Sequence, residues 1–153
     1  MALTRHFSSY TSARTNLRGV LDAAHAGLVT TVVRDGERYV VLTAGALREQ
    51  LSQLLPSRAV VVAEGGGWSA IVPGVPAHGD APTFEEAIAD LILALREYAE
   101  DWNEDLHAAP NHRQHRAMVE LVELSSDEQL RDWLLHSAAD PAASAGADRL
   151  VTA

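Results

Sequence analysis

The chain of 153 residues, with 47% apolar residues and a net charge of −9, is long enough for one ordinary domain or two very small ones. The chain lacks Cys, which excludes a disulfide framework. It also lacks the roughly 18-residue apolar run of a membrane span and the pattern of a signal peptide. We therefore expect a cytoplasmic protein without a membrane partner. Residues 1–58 contain seven Arg and four acids whereas residues 59–153 contain five Arg and seventeen acids, which indicates a polyanionic partner for the first part and a cationic partner for the second.

The first predicted element is a helix over residues 11–25, where apolar residues recur every three or four positions. Thr11 or Ser12 can cap its start, because a hydroxyl at that position accepts a hydrogen bond from the first turn. Gly27 can end it, because glycine readily adopts the left-handed conformation that follows many helices. We therefore expect one continuous amphipathic helix here.

A β-hairpin is predicted next, because residues 28–34 and 37–43 are rich in β-branched side chains. Asp35-Gly36 joins these two segments, and the pair favours a type I′ turn, which needs a positive φ at both positions. A helix over 46–55 follows. The first module therefore consists of a helix, a hairpin and a helix.

A second module begins with another predicted hairpin, formed by residues 59–63 and 68–72 around a glycine-rich turn and followed by a proline-rich loop. Thr83 and Glu86 have the spacing of a capping box at the start of a helix. Apolar positions over 84–102 then alternate spacings of four and three. We expect this seam to pack on the second hairpin, with a helix–helix dimer contact as the alternative.

Two short helices are predicted beyond Pro110. Apolar positions over 118–122 mark the first, and Ser126 can cap the second. Residues 137–153 are rich in Ala, Ser, Asp and Gly and have little apolar surface to bury, so we expect them to be mobile when unbound.

Several arginines of the first module can contact nucleic acid. Arg14 lies in the first turn of the first helix, Arg34 lies at the hairpin turn, and Arg38 lies just beyond it. Backbone N–H groups at a helix start bind phosphate, and Arg adds bidentate contacts to phosphate or guanine. With Thr11 and Asn16 these residues are the candidate DNA-binding set. The alternative is that they form an ordinary solvated surface.

The same part of the chain resembles the Phd/YefM antitoxin pattern, through the segments YTSARTNL at 10–17, VTTVVR at 29–34, Gly36 and VVL at 40–42. The resemblance covers residues 1 to about 55. It implies a homodimer that forms through its sheets and binds a palindromic operator. It also implies that Arg14 and Arg34 contact the DNA.

The following segment resembles the HicB antitoxin domain, through GGWSAIVPGVP at 66–76, Gly79-Asp80 and TFEEA at 83–87. This resemblance covers about residues 59–101. It implies a truncated ribonuclease H-like domain that binds a toxin and supports assembly without nuclease activity.

We therefore expect an α+β protein in three parts. These are a Phd/YefM-like helix–hairpin–helix domain at 1–56, which binds DNA and dimerises, a HicB-like α/β domain at 57–103, and an acidic helical segment with a flexible tail at 104–153. The two resemblances imply different partner toxins, RelE/YoeB-like or HicA-like. Both kinds are small, basic proteins that cleave RNA or block translation.

The predicted function is that of the antitoxin of a type II toxin-antitoxin system, which binds its toxin directly and represses its own operon. The alternative is a stand-alone DNA-binding regulator with a ligand-binding or oligomerisation domain. Apolar side chains of the acidic C-terminal segment either insert into a groove of the basic toxin or cover their own domain. The candidate toxin-binding residues are Leu121, Leu124, Leu130, Trp133 and Leu134.

Histidines beyond the seam offer the one pattern that approaches a metal site. His107, His112 and His115 lie close together, and Asp105 could add a fourth ligand for zinc. Solvated histidines are the favoured interpretation. No triad order, phosphate-binding glycine loop or nucleophile elbow is present in the sequence. We therefore expect no metal, no cofactor and no enzymatic activity.

Overall fold

The computed structural model describes residues 2–138, with side chains through His136, and the chain divides into two compact units. Unit 1 spans Met1–Gln50 and unit 2 spans Leu51–Ala153. Each unit combines helices with a three-stranded sheet, so the α+β fold class is confirmed. The segment predicted to be mobile spans residues 137–153. Its first two residues belong to the last helix, and residues 139–153 lie outside the described residues.

Unit 1 contains a sheet in the order β1-β2-β3, in which β1 runs parallel to β2 and β2 runs antiparallel to β3. The helix predicted after the hairpin is confirmed, and the division between the two units falls within it. The elements are β1 (His6–Phe7), α1 (Tyr10–Thr15), α2 (Leu17–His25), β2 (Thr30–Arg34), β3 (Glu37–Val41) and α3 (Ala44–Leu54).

The predicted first hairpin is confirmed. Arg34 pairs with Glu37 across a two-residue turn, and both turn residues have positive φ, 51° at Asp35 and 80° at Gly36. This is the conformation that the Asp-Gly pair favours, and it brings the end of β2 to an exposed tip.

The first helix differs from its prediction, because it is interrupted at Asn16 and forms two helices, α1 and α2. Asn16 has φ −120° and ψ 41°, outside the helical region. Its side chain occupies space that only a glycine leaves open, since a Cβ at Gly19 would lie 2.6 Å from Asn16 Nδ2. Hydrophobic periodicity continues through this junction, which explains why the pattern indicated one helix.

The cap of the first helix also differs from its prediction. The hydroxyl of Ser9, not that of Thr11 or Ser12, accepts the hydrogen bond from the backbone N–H of Ser12 at 3.1 Å. Helix α1 therefore begins at Tyr10. The helix end was predicted correctly, because Gly27 has φ 79° and its N–H donates to the carbonyl oxygen of Ala24.

The core of unit 1 is small. Phe7, Ala13 and Val20 are buried together, and Val32 and Val41 pack against them. Phe7 belongs to β1, which the sequence analysis did not predict because a two-residue strand shows no periodicity. Pairing with β2 and burial of one aromatic ring hold this strand in place.

Unit 2 contains an antiparallel sheet in the order β4-β5-β6, followed by a long helix and two shorter ones. Two 3₁₀ turns, at Leu106–Ala108 and Arg113–His115, connect the long helix to the next. No helix within residues 2–138 is long and apolar enough to cross a membrane. The elements are β4 (Val60–Glu64), β5 (Gly67–Ile71), β6 (His78–Ala81), α4 (Phe84–Glu104), α5 (Arg116–Leu124) and α6 (Asp127–Ala138).

The second hairpin is confirmed, but the loop predicted after it contains the strand β6. Its sequence, His-Gly-Asp-Ala, has no β-branched residue and so gave no strand signal. The close approach of α4 explains the glycine in this strand, because the α4 backbone leaves no room for a side chain at position 79. A Cβ at Gly79 would lie 2.3 Å from the carbonyl oxygen of Ala87 and 2.4 Å from the backbone nitrogen of Leu91.

Helix α4 begins at the predicted capping box. The Thr83 hydroxyl accepts from the backbone N–H of Glu86 at 3.2 Å and donates to the Glu86 carboxylate at 2.9 Å. The apolar seam of α4 is buried and packs on the sheet as expected, and the rings of Trp68 and Phe84 meet edge to face with centroids 5.4 Å apart.

The two C-terminal helices were predicted correctly, and both pack against α4. Ser126 caps α6, since its hydroxyl accepts from the N–H of Gln129 at 3.2 Å. Arg96 of α4 donates to the carbonyl oxygens of Val122 at 3.0 Å and Ser125 at 2.8 Å, and its Nε donates to Asp127 at 2.9 Å. One guanidinium therefore holds the junction between α5 and α6.

Candidate nucleic-acid interface and partner surfaces

The start of α1 lies beside the tip of the first hairpin. Tyr10 is the first residue of α1 and Arg34 is the last residue of β2. The Cζ atom of Arg34 lies 5.2 Å from the centroid of the Tyr10 ring, within the range of a cation–π contact. Two segments that are 24 positions apart in the sequence thus meet at one surface.

Arg14 extends this surface by one helical turn. Because α1 is short and begins at Tyr10, Arg14 lies in its last turn and not in the first turn, as was predicted. It follows Tyr10 by four positions, so the two side chains lie on the same side of α1. Arg14 is exposed, and no acid within residues 2–138 pairs with it. Tyr10, Arg14 and Arg34 together are called the arginine patch below. The cation–π contact joins Arg34 to Tyr10, and the helical spacing places Arg14 on the same side of α1 as that ring.

Arg34 keeps most of its hydrogen-bonding capacity. Its Nε donates to the carboxylate of Asp35 at 3.2 Å, and 60% of its side chain is exposed. No residue in the described part of the chain accepts a hydrogen bond from its two terminal nitrogens. Those nitrogens can therefore form the bidentate contact with phosphate or guanine that arginine favours.

Arg38 lies apart from the arginine patch. It pairs with Val33 on the neighbouring strand, whereas Arg34 pairs with Glu37. Because successive residues of a strand point to opposite faces, Arg38 and Arg34 lie on different faces of the sheet. Arg38 is exposed and has no acid partner among residues 2–138. The structure does not join it to the other two arginines.

Thr11 and Asn16 have local structural roles. The carbonyl oxygen of Thr11 accepts from the hydroxyl of Thr15 at 2.8 Å, within α1. Asn16 lies at the junction of α1 and α2, where its amide occupies the space above Gly19. Both residues are exposed, so a contact with DNA stays a prediction for them.

The candidate toxin-binding residues of the C-terminal helices are inside unit 2. Leu121, Leu130 and Leu134 are completely buried, Trp133 is 8% exposed, and Leu124 is half-buried. They cover their own domain, which is the other possibility that the sequence left open. Direct contact with a toxin through them would require α5 and α6 to separate from α4.

The exposed side of α4 carries a feature that the sequence analysis missed. A concavity of about 420 Å³ lies between α4 and residues 76–78, and three acids, Asp90, Glu97 and Asp101, line it. Leu93 stands between them with 57% of its surface exposed. We call these four residues the α4 groove. Their spacing of three, four and four was the available signal, because it places one apolar side chain in an acidic stripe.

The histidines considered for zinc take part in internal hydrogen bonds. The hydroxyl of Tyr98 lies 2.8 Å from Nδ1 of His112 and 2.6 Å from Nδ1 of His115. A hydroxyl has one proton, so it donates to one ring and accepts from the other. Burial raises the pKa of Tyr98, which keeps the hydroxyl protonated. The described residues contain no group of three His, Cys, Asp or Glu that could hold a metal ion.

A family model described as "Antitoxin of toxin-antitoxin, RelE / RelB, TA system" matches residues 5–135. Because the match spans most of the chain, the protein is an antitoxin of a toxin-antitoxin system, a non-enzymatic regulatory protein with a cognate toxin as its partner. Within that class, the chain belongs to this PHD-like family.

A solved structure shares the fold. It is a protein from Syntrophomonas wolfei subsp. wolfei, assigned as the antitoxin part of a toxin/antitoxin system, with a TM-score of 0.72 and 22% sequence identity. The similarity covers 85% of this chain and 96% of that protein. A comparison with curated proteins finds no match.

Proposed function

We propose that this antitoxin neutralises a basic, RelE-like toxin by direct binding through unit 2 and represses its own operon by binding operator DNA through unit 1. The observation that carries the proposal is the family match over residues 5–135. The charge division supports the assignment of the two roles, because the basic excess lies before residue 59 and the acidic excess after it.

For operator binding, the arginine patch is the proposed contact. It combines two exposed arginines with an exposed aromatic ring, and arginine forms bidentate contacts with phosphate. The Phd/YefM resemblance of residues 1–56 supports the same assignment for Arg14 and Arg34. Arg38 lies on the other face of the sheet, so we assign it a secondary contact with the DNA backbone.

Unit 1 is proposed to act as a homodimer. Five apolar residues of unit 1 are buried within the described part of the chain and three of them are alanines, which makes a small core for a unit of this length. Several large apolar side chains are left outside it. Single exposed apolar residues are ordinary, but this many in a small unit indicates a surface that a partner covers. The residues that are more than half exposed are Leu17, Leu21, Val29, Tyr39 and Val40.

Toxin binding is proposed at the α4 groove, in the part of unit 2 that resembles HicB. The groove is accessible without any opening of the fold, and its carboxylates complement the cationic surface expected of an RNA-binding toxin. Leu93 supplies an apolar contact at its centre. The buried residues of α5 and α6 pack against α4 and so stabilise the helix that carries the groove.

The decisive experiment is co-expression of the chain with the product of the adjacent reading frame, scored by rescue of growth and by co-purification. Rescue with a stable complex is expected. Operator binding is tested in the same lysates, by measuring binding of the chain to a duplex from the promoter upstream of the operon. A harmless neighbour that does not co-purify would overturn direct neutralisation of that protein.

Variants separate the two roles. Arg14→Ala combined with Arg34→Ala is expected to weaken operator binding and leave neutralisation intact. Arg113→Ala combined with Arg116→Ala removes the same charge from unit 2 and is the matched control for DNA. Leu93→Asp is expected to weaken toxin binding without loss of operator binding. Leu54→Asp is its control, because it makes the same change at an exposed leucine of unit 2 outside the α4 groove. Loss of neutralisation by the first double variant would contradict the division of roles.

A further inference from the structure

We infer that Tyr10 is a positioning residue for operator recognition, because its ring holds the guanidinium of Arg34 beside α1. This inference rests on the proposed operator binding and gives a role to Tyr10, which begins the YTSARTNL segment but was not among the candidate DNA-binding residues. The ring and the guanidinium come from different elements, α1 and β2, so their contact fixes one element against the other at the proposed DNA surface.

The contact leaves both partners accessible. Half of Tyr10 remains exposed, and Arg34 is bound to the protein through Nε alone. An arginine side chain has many rotamers, and ordering it on arrival of the DNA would reduce the affinity. Stacking against an aromatic ring restricts the guanidinium plane before binding, while the two terminal nitrogens stay free for phosphate or a base edge.

Tyr10 is itself held in place from both sides. The cap formed by Ser9 fixes the first turn of α1, and Ala13 of the same helix is buried in the core of unit 1. Arg34 is held at the same time by Asp35, whose carboxylate accepts from its Nε at 3.2 Å. The ring therefore holds the guanidinium beside α1, the helix that also carries Arg14 on the side of Tyr10.

The ring, not the hydroxyl, has this role. No residue within 2–138 forms a hydrogen bond with the Tyr10 hydroxyl, whereas the cation–π contact needs only the aromatic face. Phenylalanine at position 10 should therefore preserve the affinity for operator DNA, whereas an aliphatic side chain of similar size should lower it.

The test measures binding of the full chain to a duplex from its own promoter by fluorescence anisotropy, at fixed salt. Tyr10→Leu is expected to weaken specific binding about two- to fivefold, the range of an exposed cation–π contact. Tyr10→Phe should bind as the parent does. Arg34→Ala should lower the affinity for the duplex about tenfold or more. Adding Tyr10→Leu to Arg34→Ala should cause no further loss, because the ring acts through the arginine.

A second measurement does not depend on DNA. The ring current of Tyr10 should shift the side-chain proton resonances of Arg34, and the shift should vanish in Tyr10→Leu and persist in Tyr10→Phe. Full affinity of Tyr10→Leu, an additive loss in the double variant, or a Tyr10→Phe as weak as Tyr10→Leu would overturn the inference. A parent chain that does not bind the duplex would instead overturn the proposed operator function, and the inference with it.

Discussion

Trp133 of α6 donates a hydrogen bond from its indole Nε1 to the carbonyl oxygen of Leu55, at 2.6 Å and across 78 positions of sequence. Nearby, the hydroxyl of Ser57 donates to the carbonyl oxygen of Leu134 at 3.3 Å. The segment that enters unit 2 is thus bound to the last described helix of that unit. Trp133 closes the core of unit 2.

We predict that Trp133 stabilises the free antitoxin. Trp133→Ala should lower the free energy of unfolding by about 3–5 kcal/mol because it leaves a cavity. Trp133→Phe keeps most of the side-chain volume but loses the hydrogen bond to Leu55, and it should lower the free energy of unfolding by about 1–3 kcal/mol. Urea denaturation monitored by circular dichroism measures both. If instead Trp133 anchors the toxin directly, both variants will lose toxin affinity while the free chain keeps its stability.

Gly79 is predicted to be irreplaceable for steric reasons. Gly79→Ala places a Cβ within 2.4 Å of the α4 backbone, and neither element can yield easily. We expect a loss of about 3 kcal/mol or more. Gly45→Ala is the control, because nothing lies within 4 Å of its Cβ, and it should change stability by less than about 1 kcal/mol. Equal thermal stability of the two variants would contradict this account of β6.

Local signals predicted much of this fold. The pair Asp35-Gly36 produced the expected turn, and the Thr83–Glu86 capping box marked the start of α4. In each case the physical cause lies within four residues of sequence. The strand β6 could not be predicted in this way, because Gly79 is required by the backbone of α4 and not by its neighbours in the chain.

The candidate sites show the same division. Arg14 and Arg34 were identified from motif spacing, but the ring of Tyr10 between hairpin and helix became evident only from the fold. An amphipathic pattern shows that a helix has an apolar side without showing what covers it. For Leu130 and Trp133 the cover is their own domain.

Arg96 is predicted to control the opening of α5 and α6. Arg96→Met removes the donors to two backbone carbonyls, and each unsatisfied carbonyl costs about 1–3 kcal/mol. Arg96→Lys retains the charge but cannot reach both carbonyls and Asp127 at once, so it should restore less than half of the loss. Hydrogen exchange should show faster exchange of the α5 and α6 amides in both variants.

The control for Arg96 is Arg113→Met, which removes a single exposed contact to the carbonyl oxygen of Ala108. It should change stability by less than about 0.5 kcal/mol. Toxin affinity then separates the two proposed surfaces. Binding through the buried leucines would become tighter when Arg96→Met eases opening, whereas binding at the α4 groove would not gain from it.

The ion pair between Glu85 at the start of α4 and Arg131 of α6 should depend on pH. The hydrogen bond from Arg131 lowers the pKa of Glu85 below its ordinary value of 4.5. A carboxylate with a lowered pKa in the folded state stabilises the fold above pH 4.5, and this contribution disappears as the pH falls through the lowered value. Both groups are exposed, so the effect on stability is small and salt weakens it.

Carboxyl carbon NMR titration tests this pair directly. The Glu85 resonance should titrate below pH 4.5 in the parent chain and return towards 4.5 in Arg131→Gln, because the donor is lost. Arg113→Gln removes an equal charge elsewhere in unit 2 and should leave the Glu85 curve unchanged. Added salt should move the Glu85 midpoint of the parent chain to higher pH, because it screens the ion pair. An identical Glu85 midpoint in the parent and in Arg131→Gln would show that the contact does not persist in solution.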